Sequence, residues 1–150
     1  LGRRGPVHFL LEDAGLDYEL RLHKMENWKE LKGEFIASKQ MQLAVLPAIE
    51  LEGKTYVGTL PILRYLSQRL GKYAGKTAED AYLVDAFSDM VNDWSVAAFR
   101  YVFGKDEDHN KRYPNELLPK YLDSAERFLS LNEQGPYLLG EGISYADFIL

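Results

Sequence analysis

A proline inside an apolar, strand-like run most constrains how this sequence can fold. Residues 44–66 read AVLPAIELEGKTYVGTLPILRYL, and Pro47 interrupts the first part of that run. Proline has no backbone N–H to donate, so in sheets it is confined to an edge strand, a strand's first residue or a bulge. One interpretation is a plain strand start. The other is a cis Leu46–Pro47 bond, which would leave the backbone of Leu46 free to pair with a ligand's peptide as an added strand. Because only about 5–6% of X–Pro bonds in folded proteins are cis, the residues alone favour trans.

The residues on both sides of Pro47 predict a mixed α/β first half. Residues 5–15 have helical apolar spacing and end at a glycine, and alternation in residues 17–23 predicts a half-buried strand. The polar stretch at 24–42 is predicted to be irregular, with room for a helical turn. Gly53 predicts the turn of an antiparallel hairpin, and Thr59 is predicted to cap a helix through residue 70.

From residue 78 onward the pattern is helical. An amphipathic run predicts one long helix from Ala78 to Phe103, and another helix is predicted for residues 116–131. Ser144 and Asp147 have capping-box spacing at the start of a further helix. The chain starts without Met and stops within that helix, so we interpret it as a fragment. We expect a first domain at 1–71, a linker at 72–77 and a helical domain at 78–150.

Composition disfavours several classes of protein. The net charge of −5 argues against nonspecific nucleic-acid binding, which depends on Lys and Arg neutralising phosphates. The sequence has neither an apolar run of the ~18 residues that span a bilayer nor a signal-peptide pattern, so we expect a cytoplasmic protein without a membrane partner. With no cysteines and three scattered histidines, we expect no metal site, and any reactive thiol must belong to a ligand.

Four stretches, in order, resemble the cytosolic glutathione transferase family. VLPAIELEG resembles its cis-proline strand and hairpin, GTLPILRYLSQRLGKYAGKT its next helix and interdomain linker, LVDAFSDMVNDW its long Asp-rich helix, and LLGEGISYADFIL its capping box. The sequence is closest to the sigma, mu, alpha and pi-like branch. The resemblance implies an α/β plus all-α fold, in which a thioredoxin-like domain lacking its first strand precedes an incomplete helical domain. It also implies that Leu46–Pro47 is cis.

The resemblance implies a set of residues that bind glutathione as co-substrate. Arg3 matches a family arginine near the tripeptide at the start of the first helix, although a solvated arginine beside Arg4 is the alternative. Trp28 and Lys32 match, at W-x-x-x-K spacing, the pair that contacts the glycyl carboxylate through an indole N–H and an ammonium group. The alternative for Trp28 is an anchor for a polar loop.

The remaining glutathione contacts fall on the hairpin region and the long helix. Leu46, held by Pro47, would present its backbone to the cysteinyl amide, and Thr59 would offer its hydroxyl and N–H groups to the γ-glutamyl carboxylate. An ordinary helix cap is the alternative for Thr59. Asp93 matches the aspartate that reaches the γ-glutamyl ammonium of the neighbouring subunit, which implies a homodimer. A solvated acidic stripe of Asp85, Asp89 and Asp93 is its alternative.

Two positions depart from the family pattern. Gly58 stands where the family usually has Gln or Glu before the Ser or Thr, and Val45 stands where Gln is often found. Each departure removes a polar side chain from the expected site. For the electrophile, Phe99 and Phe103 lie one helical turn apart and are predicted to line an apolar cleft between the domains, with core packing as the alternative.

The leading interpretation is a glutathione transferase that conjugates the glutathione thiolate to an apolar electrophile, a detoxification reaction. The tyrosine or serine that stabilises the thiolate in the family would precede Leu1. The alternative is a non-catalytic binding or assembly module of the same fold, like the domains of translation elongation factor subunits, which Gly58 and Val45 favour slightly. A cysteine-dependent reductase is disfavoured because the start of the first helix reads LGRRGP.

Overall fold

Two units make up the structure, a computed structural model that describes residues 2–41 and 43–150. They divide between Leu70 and Gly71. Residues 72–77, which we expect to be a linker, are grouped with the second unit. Within that unit Tyr73 is buried, its ring lies 5.6 Å from that of Phe148, and its carbonyl accepts a hydrogen bond from the backbone N–H of Tyr145.

The core of the first unit lies between its first and third α-helices. In chain order the elements are a 3₁₀ turn Gly2–Arg4, helix α1 Gly5–Asp13, a 3₁₀ turn Met25–Asn27, helix α2 Trp28–Ala37, strands β1 Ala48–Leu51 and β2 Lys54–Val57, and helix α3 Thr59–Leu70. Leu10 on α1 and Ile62 and Leu63 on α3 are completely buried. Burying a side chain of this size contributes about 1.5–3 kcal/mol relative to leaving it exposed, so this pair of helices fixes the frame of the unit.

The predicted hairpin is confirmed. Strands β1 and β2 pair antiparallel, from Ala48 opposite Val57 to Leu51 opposite Lys54. Glu52 and Gly53 connect them with φ of 53° and 75°, and two positive φ values are what a type I′ turn requires. Pro47 immediately precedes β1, and the Leu46–Pro47 bond is cis, as the family resemblance implies.

Two predictions for the stretch before the hairpin are corrected. Residues 17–23 do not form a strand, because a strand needs a hydrogen-bonding neighbour and no other strand within residues 2–41 and 43–150 pairs with them. The side chains of Tyr18, Leu20 and Leu22 are exposed instead. Trp28–Ala37 forms a ten-residue helix rather than an irregular stretch with a single turn. None of its described side chains is buried, so the sequence carries little of the apolar periodicity that marks a helix.

The second unit is helical. It contains α4 Ala78–Phe103, α5 Glu107–Arg112, a π-helical segment Tyr113–Leu117 and α6 Leu118–Leu129. Helix α4 has the predicted bounds, and Thr77 caps it in a reciprocal capping box with Asp80. Helical structure resumes at Glu107, nine residues before the predicted 116, because the Asp106 side chain accepts from His109 N–H and caps α5. Buried Phe87 meets Phe128 edge-on at 5.3 Å, which joins α4 to α6.

The predicted capping box near the end of the chain is only partly formed. Asp147 accepts hydrogen bonds from the backbone N–H and the hydroxyl of Ser144, each at 2.7 Å, and from Leu138 N–H at 2.9 Å. The Ser144 hydroxyl donates to the Asp147 carboxylate, and the Asp147 N–H bonds to the Ser144 carbonyl (3.2 Å) rather than to its side chain. Residues 145–149 form turns rather than the predicted helix.

Candidate functional site

Three segments of the first unit meet at the start of helix α3. The backbone N–H of Gly58 donates to the carbonyl of Pro47 at 2.9 Å. The hydroxyl of the next residue, Thr59, donates to the carbonyl of Arg3 at 2.8 Å. These two hydrogen bonds tie the cis-proline turn and the beginning of α1 to the same end of α3. They bring together five predicted site residues, namely Arg3, Leu46, Pro47, Gly58 and Thr59.

The start of α3 retains two unengaged backbone donors. Ile62 N–H bonds to the carbonyl of Gly58 (3.1 Å), so Gly58 holds the cap position, and Thr59 is the first helical residue rather than the predicted cap. Pro61 has no N–H. Within the described part of the chain, no acceptor bonds to the N–H of Thr59 or Leu60. Unpaired N–H groups and the positive end of the helix dipole favour an anion at this position.

The turn before β1 presents free backbone beside this helix end. Leu46 is 42% exposed and lies on the N-terminal side of the cis bond. The carbonyl of Pro47 is occupied by Gly58, whereas no hydrogen bond among residues 2–41 and 43–150 engages the N–H or carbonyl of Leu46. Leu46 is therefore available to pair with an extended peptide.

The two departures from the family pattern have different structural settings. Gly58 has φ of +86°, a backbone conformation that L-residues rarely adopt, so glycine relieves strain at this point. A β-carbon there would lie 3.4 Å from Pro61 Cδ, which is ordinary contact. Val45 is half-buried, and its N–H donates to the carbonyl of Leu43. Neither position contributes a polar side chain to the helix end.

Trp28 and Lys32 lie one turn apart at the start of helix α2. The indole of Trp28 is half-buried, and Lys32 is exposed. No hydrogen bond or ring contact of the described chain joins either side chain to the group at the start of α3. They are available to a ligand, but the structure does not by itself bring them to the other predicted residues.

The predicted residues on α4 belong to the second unit. Asp93 is exposed, and burial together with its negative charge raises the pKa of Tyr121. Phe99 and Phe103 are 61% and 69% exposed, with ring centroids 4.6 Å apart, so they do not pack in the core. Asp85 accepts a hydrogen bond from the hydroxyl of Tyr145, so it is not part of a solvated acidic stripe, which was the alternative for Asp93.

Neither Tyr18 nor Tyr56, which follow α1 in the first unit, is positioned to stabilise a thiolate. The Tyr18 hydroxyl lies 2.6 Å from Glu12 Oε1 and 2.5 Å from His8 Nδ1, and the bond to Glu12 raises its pKa. Tyr56 stacks on Tyr65 at 4.0 Å, and the hydrogen bond between them raises the pKa of Tyr56. A raised pKa keeps each phenol protonated, but both hydroxyls already have partners within the protein.

Sequence reasoning missed the contribution of Leu60 and Pro61. Leu60 offers a free N–H, and Pro61 limits the helix end to two such donors. A proline at the third helical position was the available signal. No set of three or more His, Asp or Glu side chains in the described residues could hold a metal ion. None of the helices described here is both long and apolar enough to cross a membrane.

Comparisons with known proteins agree with this architecture. A family model described as "Glutathione S-transferase, C-terminal domain" matches residues 89–150. Glutathione S-transferase P 10 of Caenorhabditis elegans is 31% identical over 139 residues, which make up 93% of this chain and 60% of that protein. Along nearly its whole length, the chain is similar to glutathione S-transferases. It spans about three fifths of the length of the nematode relative.

Solved glutathione S-transferases share the fold. The Pi-class enzyme of Onchocerca volvulus superposes with a TM-score of 0.83 at 24% identity, over 99% of this chain and 68% of the other. The Ascaris lumbricoides glutathione S-transferase gives 0.78 at 26% identity, over 99% and 72%. These matches confirm the predicted resemblance to the glutathione transferase family and the predicted fold, a thioredoxin-like part followed by a helical part. The relatives are named as transferases, a class of enzymes.

Proposed function

We propose that the full-length protein is a glutathione transferase that joins the glutathione thiolate to an apolar electrophile. The observation that carries this proposal is the convergence of the cis Leu46–Pro47 turn with the start of α3, where the N–H groups of Thr59 and Leu60 are unengaged. Unpaired backbone groups next to a helix end that favours anions suit a small peptide that carries a carboxylate.

Each part of glutathione has a proposed partner in the first unit. The γ-glutamyl carboxylate binds the N–H groups of Thr59 and Leu60, and its two oxygens match the two donors. The cysteinyl amide pairs with the backbone of Leu46. The glycyl carboxylate takes the Trp28 indole N–H and the Lys32 ammonium group, whose charge strengthens the hydrogen bond.

The proposed chemistry needs a stabilised thiolate. The pKa of a thiol, near 8.5, must be lowered by one to two units for the thiol to be ionised at neutral pH, which requires about 1.4–2.7 kcal/mol. The guanidinium of Arg3 and the positive end of α1 supply part of this, and a tyrosine or serine hydroxyl preceding residue 1 supplies the rest. The thiolate sulfur then displaces a leaving group from an electrophilic carbon: the carbon–sulfur bond forms, and the leaving group departs with the electron pair of the bond that breaks. We propose Phe99 and Phe103 as contacts of this apolar compound.

A homodimer is part of the proposal, because Asp93 would reach the γ-glutamyl ammonium group bound by the partner subunit. We further propose a cytoplasmic protein that acts in detoxification. The second candidate function is a non-catalytic binding or assembly module of the same fold. It is favoured by Gly58 and Val45, which leave the helix end without the polar side chains common in the family.

Calorimetric titration of the full-length protein with glutathione tests the proposal. Lys32→Met removes the proposed charge partner of the glycyl carboxylate, and we expect it to weaken binding about 10-fold, as for loss of one charge-assisted hydrogen bond. Lys29→Met, on the same helix and equally exposed, is the matched control and should bind like the wild type. Absence of binding at millimolar glutathione in the folded protein would refute the transferase and favour the non-catalytic module.

A further inference from the structure

We infer that His109 is a positioning residue for the electrophile, because its imidazole holds the half of α4 that carries Phe99 and Phe103 against α5. This inference rests on the proposed function, since it assigns a role to a residue behind the proposed electrophile contacts. It deepens that function by naming what fixes those contacts in place.

The second half of α4 has little hydrophobic support of its own. The buried side chains of this helix all come before residue 92, and they are Val84, Phe87, Ser88 and Val91. Among residues 92–103, all of which the structure describes, no side chain is buried. Segments with few buried apolar contacts open locally at a low cost in free energy. The exposed rings of Phe99 and Phe103 lie in this segment, so their positions depend on what else holds it.

Helix α5 supplies that hold through a connected set of hydrogen bonds. His109 Nε2 lies 2.9 Å from the carbonyl oxygen of Ala97 on α4, and because a carbonyl only accepts, Nε2 carries the proton and donates. The backbone N–H of His109 donates to one carboxylate oxygen of Asp106 at 3.1 Å. The other oxygen of Asp106 accepts from Arg100, which lies one turn beyond Ala97 on α4. His109 is therefore joined to α4 directly and also through Asp106.

The Asp106 carboxylate and a tight turn keep these bonds together. The His109 N–H and the Arg100 guanidinium lower the pKa of Asp106, which is therefore ionised at neutral pH and makes charge-assisted hydrogen bonds. The chain passes from α4 to α5 through residues 104–106 alone. A β-carbon on Gly104 would clash with the carbonyl of Arg100, so glycine allows this close return. Helix α5 is thus fixed beside the second half of α4.

The bonds hold one side of α4 and leave the other side to a ligand. Trp94 donates its indole N–H to the hydroxyl of buried Tyr113 at 3.0 Å, and Tyr101 stacks on the same ring at 4.7 Å. Successive residues of an α-helix are rotated by about 100°, which puts Phe99 and Phe103 on the side of α4 opposite Trp94. Movement of this half of α4 away from α5 would therefore shift both phenylalanine rings at once.

Two variants of the full-length protein test the bond from His109. Glutamine carries its amide nitrogen as many bonds from the backbone as histidine Nε2, so His109→Gln keeps a donor for Ala97, whereas the shorter side chain of His109→Asn does not reach. The matched control is Asn132→Ala, which removes another side-chain bond to a carbonyl in the same unit, that of Leu138 at 3.0 Å.

The first readout is amide hydrogen exchange of residues 99–103 without ligand. The second is steady-state kinetics with glutathione and chlorodinitrobenzene, whose chloride is the leaving group, and calorimetry gives the glutathione affinity. We expect His109→Asn to speed exchange about 2- to 10-fold and to raise KM for chlorodinitrobenzene by a similar factor, as for loss of one net hydrogen bond. The kcat and the glutathione affinity should stay unchanged, because Phe99 and Phe103 would bind the electrophile and its transition state alike. His109→Gln should restore exchange and KM, and Asn132→Ala should alter neither.

Unchanged exchange in His109→Asn would refute the hold on α4. Faster exchange with an unchanged KM would overturn the link to the electrophile. An equal rise of KM in Asn132→Ala would overturn the positioning role in favour of a general loss of stability. A wild type that binds no glutathione would refute the proposed function and the electrophile role with it, whereas the exchange comparison would still decide whether His109 holds α4.

Discussion

Gly58 avoids backbone strain but offers no side chain to a ligand, and substitutions at this position should reveal both effects. Gly58 has φ of +86°, and a β-carbon would find ordinary contact with Pro61 at 3.4 Å. The cost of any L-residue there is therefore backbone strain alone, about 1–2 kcal/mol. We expect both Gly58→Ala and Gly58→Gln to lower the free energy of unfolding by this amount, and the melting temperature by about 2–4 °C per kcal/mol.

Glutathione affinity should separate the two variants. The glutamine amide restores a polar side chain at the start of α3, whereas alanine adds only strain. Gly58→Gln is therefore expected to bind glutathione about 2- to 10-fold more tightly than Gly58→Ala, the range for one net hydrogen bond. Calorimetry on both variants measures this difference. Because we expect the two variants to be equally stable, a difference in their glutathione affinity reports the glutamine amide.

Gly33→Ala is a control for which we expect the opposite effect on stability. Gly33 lies inside helix α2 with open space around it, so alanine there should stabilise the protein by about 0.5–1 kcal/mol. Urea unfolding of all three variants measures these differences. Unchanged stability in Gly58→Ala would refute the strain argument, and equal affinity of Gly58→Ala and Gly58→Gln would refute the idea that a missing polar side chain limits binding.

Two further predictions concern the second unit. Backbone N–H groups of Lys76 and Thr77 lower the pKa of Asp80 in the folded protein. The ionised carboxylate therefore stabilises the fold fully above its ordinary pKa of 3.8, and this stabilisation is lost as pH falls through the lower pKa of the folded state. The difference in unfolding free energy between the wild type and Asp80→Asn should accordingly shrink on acidification, and a difference independent of pH would contradict this. Phe103→Ala should change stability by less than about 0.5 kcal/mol, against about 3–5 kcal/mol for fully buried Phe87→Ala, yet raise KM for an apolar electrophile several-fold. An unchanged KM would remove Phe103 from the proposed pocket.

The elements that the sequence predicted well are those whose signals are local. The hairpin needs only Pro47, a Gly53 turn and two short apolar runs, and α4 needs only a cap at Thr77 and an apolar stripe. Residues 17–23 alternate as a strand should, but pairing depends on a neighbour that a local pattern cannot supply. Helix α2 was missed for the opposite reason, because it buries no described side chain and so lacks a stripe.

The candidate site divides in the same way. The cis bond before Pro47 could be inferred only through the family resemblance, since residue statistics favour trans. The bond from Thr59 to Arg3 spans 56 residues and has no local signature in the sequence. The prediction of an ordinary cap at Thr59 was wrong, because Gly58 holds the cap position and Thr59 is the first helical residue. The two free N–H groups at Thr59 and Leu60 follow from Pro61 once Gly58 is known to be the cap.

The π-helical segment Tyr113–Leu117 accommodates one extra residue in the second unit. The N–H of Leu118 bonds to the carbonyl of Tyr113, five residues back instead of four. Deleting one residue between them would restore a regular α-helical turn and leave the orientation of α6 largely unchanged. The ring of Phe128 would still face Phe87, which it meets at 5.3 Å. Deleting a residue from the regular turns of α6 before Phe128 would instead rotate this ring by about 100° about the helix axis, so related sequences that keep this helix packing should differ in length at the π-helical segment and not within α6.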